Sequence, residues 1–269
     1  MDSSGSMKTL LVENKKIRYS DEGEGKALVF LHGFTESGKI WNQFSGKLIR
    51  DFRIIIIDLP GHGKSEGIGS IHTMEMQAEV VHRVLKHCKA RKCLMIGHSM
   101  GGYVTLAFAG KYPAMLRGFC LFHSHVFADS VQDRENRDRT IRLVLLDKFS
   151  FISQFIAGLF PEEVHDNFSK EIDQLIRRAD RMQKENVIAA LEGMKERFDQ
   201  TLLLKTTQLP VLFILGLKDS KAPIARLWEM ISLPAQSESL ILRETGHMGY
   251  IEEPKKTLEA IRAFAKKIL

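Results

Sequence analysis

Cysteine is scarce. The 269 residues contain three, Cys88, Cys93 and Cys120, too few and too scattered for a disulfide framework or a zinc-binding set. A reduced, cytoplasmic protein is expected. Long apolar runs are missing as well. Apolar runs such as Val211–Leu217 fall far short of the ~18 residues needed to cross a bilayer, so no membrane span is expected. Ahead of Met7, residues 1–6 read MDSSGS and hold no apolar segment of the kind a secretory signal needs. They read as a tail or cloning scar outside the fold. Internal repeats and low-complexity tracts are absent too. What is present is an ordinary globular composition, 44% hydrophobic and 27% charged. That excludes a disordered chain, a collagen and a coiled coil, and the length suits one large domain or two small ones.

Acidic side chains are outnumbered, 33 against 39 basic ones, for a net charge of +6. The excess sits in residues 71–123, which carry 7 basic and 2 acidic groups. It centres on Lys86, Lys89, Arg91 and Lys92, with no interleaved aromatic residue for stacking on bases. The cluster reads as a solvated helix end whose cations complement the helix dipole. Nucleic acid is not an expected partner. Nothing in the sequence bears on oligomeric state.

Short apolar runs alternate with amphipathic stretches from Met7 onward. Leu10–Val12 and Ile17–Tyr19 flank Glu13-Asn14-Lys15-Lys16, a hairpin pattern. Ala27–Leu31, Ile54–Ile57, Cys93–Ile96, Phe119–Phe122, Val211–Leu215 and Ser239–Leu242 read as strands buried on both faces of a parallel sheet. Between them, Ile40, Phe44 and Leu48 share a helical face, as do Met76, Val80 and Val84, and later Leu258, Ile261, Phe264 and Ile268. The alternation predicts an α/β protein with helices on both faces of the sheet. Residues 124–206 contain no strand pattern. There Leu175, Ala179 and Met182, then Val187, Leu191, Met194 and Phe198, fall at helical spacing. This excursion is too long for a crossover and reads as a lid. The resulting division is a core of residues 7–123 and 207–269 interrupted by a helical cap of residues 124–206.

The sharpest chemical signal is Gly97-His98-Ser99-Met100-Gly101, between a predicted strand and a helical run. A serine on so tight a turn is held in a strained conformation that projects its hydroxyl, and side chains two positions away would collide. The competing reading is an N-cap serine in a glycine-rich turn. A serine nucleophile needs a base, and the base an orienting acid. Asp219 follows a predicted strand across the turn Gly216-Leu217-Lys218, and His247 follows the last strand. Asp129, shortly after the strand Phe119–Phe122, is the competing acid, although it opens a charged stretch that it could simply cap. The backbone N–H groups of Phe34, in the loop Leu31-His32-Gly33-Phe34, and of Met100 are the candidate oxyanion donors.

These pieces give the chain a specific resemblance to the α/β-hydrolase superfamily over nearly its whole length after Met7. The matching segments, in order, are His32-Gly33-Phe34, Asp58-Leu59-Pro60-Gly61-His62-Gly63-Lys64-Ser65, Gly97–Gly101, Gly216–Asp219 and Gly246-His247. The resemblance implies an eight-stranded, mostly parallel sheet with helices on both faces and a helical cap inserted after the sixth strand. It also implies a triad of Ser99, His247 and Asp219, and a structural rather than catalytic role for Asp58 and His62. Members with a serine nucleophile include carboxylesterases, enol-lactonases, thioesterases, carbon–carbon bond hydrolases and perhydrolases, whereas those opening epoxides or displacing halide use a carboxylate there. A serine hydrolase acting on a small ester, lactone or thioester is therefore expected, with no metal or organic cofactor. Carbon–carbon or perhydrolase chemistry on the same triad is one alternative; a non-enzymatic ligand-binding or signalling homologue is another.

Substrate is less legible. Phe127, Phe149, Phe151, Phe155, Ile156 and Phe160 give the cap an apolar inventory that suits an acyl chain or small aromatic group. His32, His123, His125, Phe127, Phe155 and Met248 are the candidate pocket residues. Arg134, Arg137, Arg139 and Arg142 interleave with Asp133, Glu135 and Asp138 and read as a solvated, salt-bridged face.

Overall fold

The computed structural model describes residues 7–221 and 224–269; the expected tail at residues 1–6 lies outside them. Eight strands form one sheet: β1 (Lys8–Val12), β2 (Lys15–Glu22), β3 (Ala27–Leu31), β4 (Arg53–Ile57), β5 (Cys93–His98), β6 (Leu116–Phe122), β7 (Val211–Gly216) and β8 (Ser237–Leu242). Their spatial order is β1-β2-β4-β3-β5-β6-β7-β8. The pairs β1–β2 and β2–β4 are antiparallel and the rest parallel. Glu13 and Asn14 join β1 to β2 with φ of 51° and 61°, the backbone twist that a two-residue hairpin demands.

Side-chain alternation along the strands divides the core. Val29, Leu31, Ile55, Ile57, Met95, Phe119, Leu121 and Phe213 face one side, and Leu28, Phe30, Ile54, Ile56, Leu94, Ile96, Phe122 and Ile214 the other. Burial on both faces is why these strands carry uninterrupted apolar runs. β8 differs from expectation. It pairs with β7 alone and lies at the sheet edge, so Leu242 is buried while its neighbours are partly or fully exposed. An edge strand has only one neighbour to cover it, which so short a run as Ser239–Leu242 does not reveal.

Eleven α-helices occur among the described residues. α1 (Asn42–Leu48), α2 (Met74–His87) and α3 (Met100–Lys111) precede β6. α4 (Val131–Leu146), α5 (Lys148–Ala157), α6 (Ser169–Ala179), α7 (Lys184–Lys195) and α8 (Thr201–Thr206) fall between β6 and β7. α9 (Ile224–Ile231), α10 (Gly249–Glu252) and α11 (Pro254–Ile268) follow. α2 and α3 cover one face through Val80, Val84, Val104 and Phe108; α1 and α11 cover the other through Phe44, Leu48, Leu258, Ile261 and Phe264. Ile40 belongs to a short 3₁₀ turn, Gly38–Trp41, rather than to α1, yet packs in the same cluster. Lys86 and His87 occupy the last turn of α2. No described helix is long and apolar enough to cross a membrane, and all three cysteines are free and buried.

Two cap helices stop short of their apolar spacing. α6 ends at Ala179, before Met182, and α7 at Lys195, leaving Phe198 exposed. Arg197 explains the second stop. Its guanidinium turns inward, donating to the Met194 carbonyl at 2.9 Å and the Phe127 carbonyl at 3.1 Å, so a side chain takes up a carbonyl at the helix end.

The strand order reverses about β3: β4 lies on one side and β5 on the other. In open parallel sheets such a reversal opens a crevice at the carboxyl ends of the strands. The loop carrying Phe34 leaves β3 there, and the turn carrying Ser99 leaves β5.

Candidate active site

Ser99 joins β5 to α3 with φ 51° and ψ −116°. Although it stands at the N-cap position, its side chain makes no capping hydrogen bond, so the hydroxyl is not spent on the helix end. The turn is held by main-chain bonds, Ser99 N–H to the Phe122 carbonyl at 2.9 Å and Gly102 N–H to the Ser99 carbonyl at 2.8 Å. A Cβ at Gly97 would overlap the Gly101 carbonyl, and one at Gly101 would lie 2.7 Å from the carbonyl oxygens of both Leu31 and His32. Neither neighbour is a movable side-chain tip. Gly101→Ala is accordingly expected to destabilise the protein by about 1–3 kcal/mol and to pull the β3 loop away from the turn, read out as a lowered Tm and a lower kcat.

The Asp219 carboxylate lies just beyond β7, and His247 in the loop after β8. His247 Nδ1 stands 2.8 Å from Asp219 Oδ2. The other carboxylate oxygen, Oδ1, accepts from the Lys221 amide at 2.8 Å. His123 points its Nδ1 at the same Oδ2, 3.3 Å away. Burial alone would raise the Asp219 pKa, but the charge of His247 and the hydrogen bonds from His123 and His247 hold it far below the ordinary carboxylate range. Burial, only partly offset by Asp219, pushes the His123 pKa down to about 4. His123 is therefore a neutral donor to the carboxylate. The His247 loop has its own clamp: Glu252 accepts from the amides on either side, Gly246 at 2.9 Å and Met248 at 3.0 Å.

On the opposite wall, the Phe34 and Met100 amides donate to no main-chain acceptor among the described residues. The Phe34 loop is a tight turn in which Thr35 has φ 63°. Glu36 folds back so that Oε2 accepts from the Gly33 amide at 2.6 Å and stands 2.9 Å from His98 Nδ1, while Oε1 accepts from the Tyr250 hydroxyl at 2.9 Å. His98 Nε2 lies 3.0 Å from the His247 carbonyl oxygen. Neither Glu36 nor His98 nor Tyr250 was a candidate from sequence. The only local hint is an acid three residues after Gly33, in the loop that leaves β3.

Ser99 and His247 line one cavity of about 550 Å³. Of the six pocket candidates, His125, Phe127 and Phe155 line it, beside Phe34, Phe151 and Tyr103. His32, His123 and Met248 do not. His32 is wholly buried, its Nε2 accepting from the Leu59 amide at 2.9 Å, so its Nδ1 carries the proton and donates to the Gly33 carbonyl at 2.8 Å. His123 is spent on Asp219, and the Met248 side chain packs in the core. Phe34 meets Phe155 edge-on with ring centroids 5.4 Å apart, and Phe155 stacks on Phe151 at 5.6 Å, making an aromatic wall.

Asp129 also lines the cavity, where it acts on the nearby His125 through its charge, but among the described residues it is hydrogen-bonded to arginines and to no histidine. It forms a buried ion pair with Arg197 and a half-buried one with Arg137. Nor does it cap α4, where Ser130 and Asp133 form a capping box. Arg137, expected on a solvated face, turns inward to this carboxylate. Asp58 is structural as expected, accepting from the amides of Gly38 at 2.7 Å and Lys64 at 2.9 Å.

The chain belongs to the alpha/beta hydrolase fold family, whose family model matches residues 26–254. A thermophilic esterase from Thermogutta terrifontis, solved with malate bound, is 30% identical and superposes with a TM-score of 0.91 over 98% of this chain and 99% of that one. A pimeloyl-[acyl-carrier protein] methyl ester esterase from Aeromonas salmonicida is 29% identical over 259 residues, 90% of this chain and 96% of its own. A dihydrolipoyllysine-residue acetyltransferase component of the acetoin cleaving system of Pseudomonas putida is 26% identical over 90% of this chain. The chain spans 64% of that longer protein.

Proposed function

We propose that the protein is a serine hydrolase that cleaves a small carboxylic ester, lactone or thioester through an acyl-enzyme on Ser99. The observation that carries the reading is the Ser99 hydroxyl, not spent on the helix end at its positive-φ turn, in one cavity with a histidine bonded to Asp219 at 2.8 Å. Esterases among its relatives support it. In this reading residues 7–123 and 207–269 are the catalytic core and residues 124–206 the cap that supplies most of the substrate wall.

The chemistry follows from the geometry. His247 Nε2 takes the hydroxyl proton as Ser99 Oγ attacks the carbonyl carbon, and Asp219 holds the ring through Nδ1–H and stabilises its cation. The Phe34 and Met100 amides donate to the oxyanion of the tetrahedral intermediate. Collapse expels the alcohol or thiol with the proton from His247. Water, deprotonated in turn by His247, then attacks the acyl carbon, releasing the acid and restoring Ser99. The aromatic wall of Phe34, Phe151 and Phe155 receives an apolar acyl or aromatic part of the substrate. Phe155→Ala should raise KM for benzoyl or longer acyl esters by about tenfold while leaving kcat and acetyl-ester kinetics little changed.

The test is hydrolysis of p-nitrophenyl esters of graded acyl length, with active sites counted by a fluorophosphonate probe and the labelled residue identified. Turnover together with labelling at Ser99 supports the reading. Absence of both, or turnover of vinylogous diketones or peracid formation without esterase activity, transfers it to the binding-protein or to the carbon–carbon and perhydrolase alternatives. His123, Asp219 and His247 place ligand-type atoms within 4.8 Å of one another, so a chelator arm belongs in the same assay. Activity that survives dialysis against EDTA supports the hydrogen-bonded triad, and activity lost to EDTA and restored by zinc overturns it.

A further inference from the structure

We propose that Glu36 and His98 act as a positioning pair for this reaction, holding the oxyanion amide, the nucleophile turn and the His247 loop in one register. The inference rests on the acyl-enzyme reading of Ser99.

Three donors converge on one carboxylate: the Gly33 amide at 2.6 Å, His98 Nδ1 at 2.9 Å and the Tyr250 hydroxyl at 2.9 Å. His98 faces an acceptor on each side, Glu36 Oε2 and the His247 carbonyl oxygen at 3.0 Å. A neutral imidazole carries one proton and would turn a lone pair on one of those acceptors; both are satisfied only by the doubly protonated ring. The pair is therefore an ion pair, with side chains 4% and 1% exposed. Glu36 is correspondingly held at a pKa of about 2 against the opposing effect of burial, chiefly by the charge of His98. His98 is raised, burial being outweighed by Glu36.

A buried ion pair adds little net stability over an apolar packing of the same volume. What this one supplies is placement. Gly33 adjoins Phe34, whose amide is the oxyanion donor. His98 adjoins Ser99. The His247 carbonyl belongs to the base itself, and Tyr250 follows three residues later. Two side chains thus touch loops leaving β3, β5 and β8. The contact is also close, since a Cβ on Gly33 would lie 2.7 Å from Glu36 Oε2, 2.9 Å from His98 Nδ1 and 3.2 Å from Ser99 Cβ. The strained Thr35, at φ 63°, sits between Phe34 and Glu36, so the carboxylate that closes this turn also fixes where the Phe34 amide points.

Glu36→Gln tests the pair with minimal change of shape. Glutamine can keep its oxygen toward Gly33 and His98 only by turning its NH₂ to the Tyr250 hydroxyl, which must then accept instead of donate, and it removes the negative charge that balances His98. We expect kcat per fluorophosphonate-labelled site to fall roughly 10- to 100-fold, the scale of a small misplacement of reacting groups, with KM changed far less. The titratable groups around His98 are Glu36, Tyr250, His32, His123 and His247, with Asp219 acting through its charge. Losing Glu36 removes the main influence holding His98 protonated. The variant's kcat should therefore decline with rising pH across a range in which wild-type kcat is flat. A second variant, Glu36→Gln with His98→Asn, removes any unpaired buried charge. It should recover Tm and still turn over slowly, because the bond to the His247 carbonyl is gone.

Unchanged kcat per labelled site and a superimposable pH profile in Glu36→Gln, or full recovery of kcat in the double variant, would overturn the proposal and leave the pair a structural element. Failure of the probe to label Ser99 in the wild type overturns the acyl-enzyme reading instead, and the positioning role with it.

Discussion

Alanine at position 99 is expected to lower kcat for p-nitrophenyl ester hydrolysis by about 10⁶-fold, leaving the residual rate that oxyanion donors and binding supply without a nucleophile. The size of the effect is interpretable because the substitution is structurally quiet. The Ser99 side chain accepts no capping hydrogen bond from α3, and the turn is held by the main-chain bonds to Phe122 and Gly102. Serine and alanine bear the same backbone strain at φ 51°, since both carry a Cβ. Stability should thus shift by less than about 0.5 kcal/mol, a change of about 1–2 °C in Tm. A large loss of rate with a flat melting curve assigns the effect to chemistry. A loss below tenfold, with the probe labelling another residue, removes Ser99 from the mechanism.

What sequence pattern conveys here follows from how local each feature is. The buried strands are legible because two covered faces require apolar residues at every position, as in Ala27–Leu31 and Cys93–Ile96. β8 carries a similar run, but its edge position depends on β7 being its single partner among the described residues, which no local pattern encodes. Ser99 is legible because five consecutive residues, two of them glycines forced by main-chain collisions, build the whole turn. Asp219 and His247 are legible as loop residues just beyond strands. The Glu36 network is not. Its bonds join residues 62 and 214 positions apart, and each member alone passes for an ordinary polar residue near a turn. The partners of His123 and Asp129 are hidden for the same reason: the first is claimed by Asp219 and the second by Arg197, both distant in the chain. Helix ends in the cap failed similarly, because the stop after Lys195 comes from a side chain that folds back and not from a glycine or proline.

Asp219→Asn should cost about 10⁴-fold in kcat while leaving the site's geometry intact. Oδ1 takes the Lys221 amide, and Oδ2 faces the Nδ1 atoms of both His247 and His123. An asparagine that keeps its oxygen toward Lys221 turns its NH₂ toward both rings. His247 must then accept at Nδ1 and carry its proton on Nε2, the atom that should receive the Ser99 proton. The base is lost through its tautomer, with no contact broken. The opposite orientation keeps the tautomer but sets the NH₂ against the Lys221 N–H, and it leaves His247 without the carboxylate charge that stabilises its cation. Asp129→Asn is the control that decides between the two acids. It strands Arg197, whose side chain is 5% exposed, and breaking a buried pair of this kind costs about 3–5 kcal/mol, visible as a lowered Tm. The rate per labelled site should nevertheless stay within about tenfold of wild type, since the partner of His247 is Asp219 and Asp129 bonds to arginines. If Asp129→Asn proves the crippling change and Asp219→Asn the mild one, the His247–Asp219 contact is structural, and the acid must be sought after β6 rather than after β7.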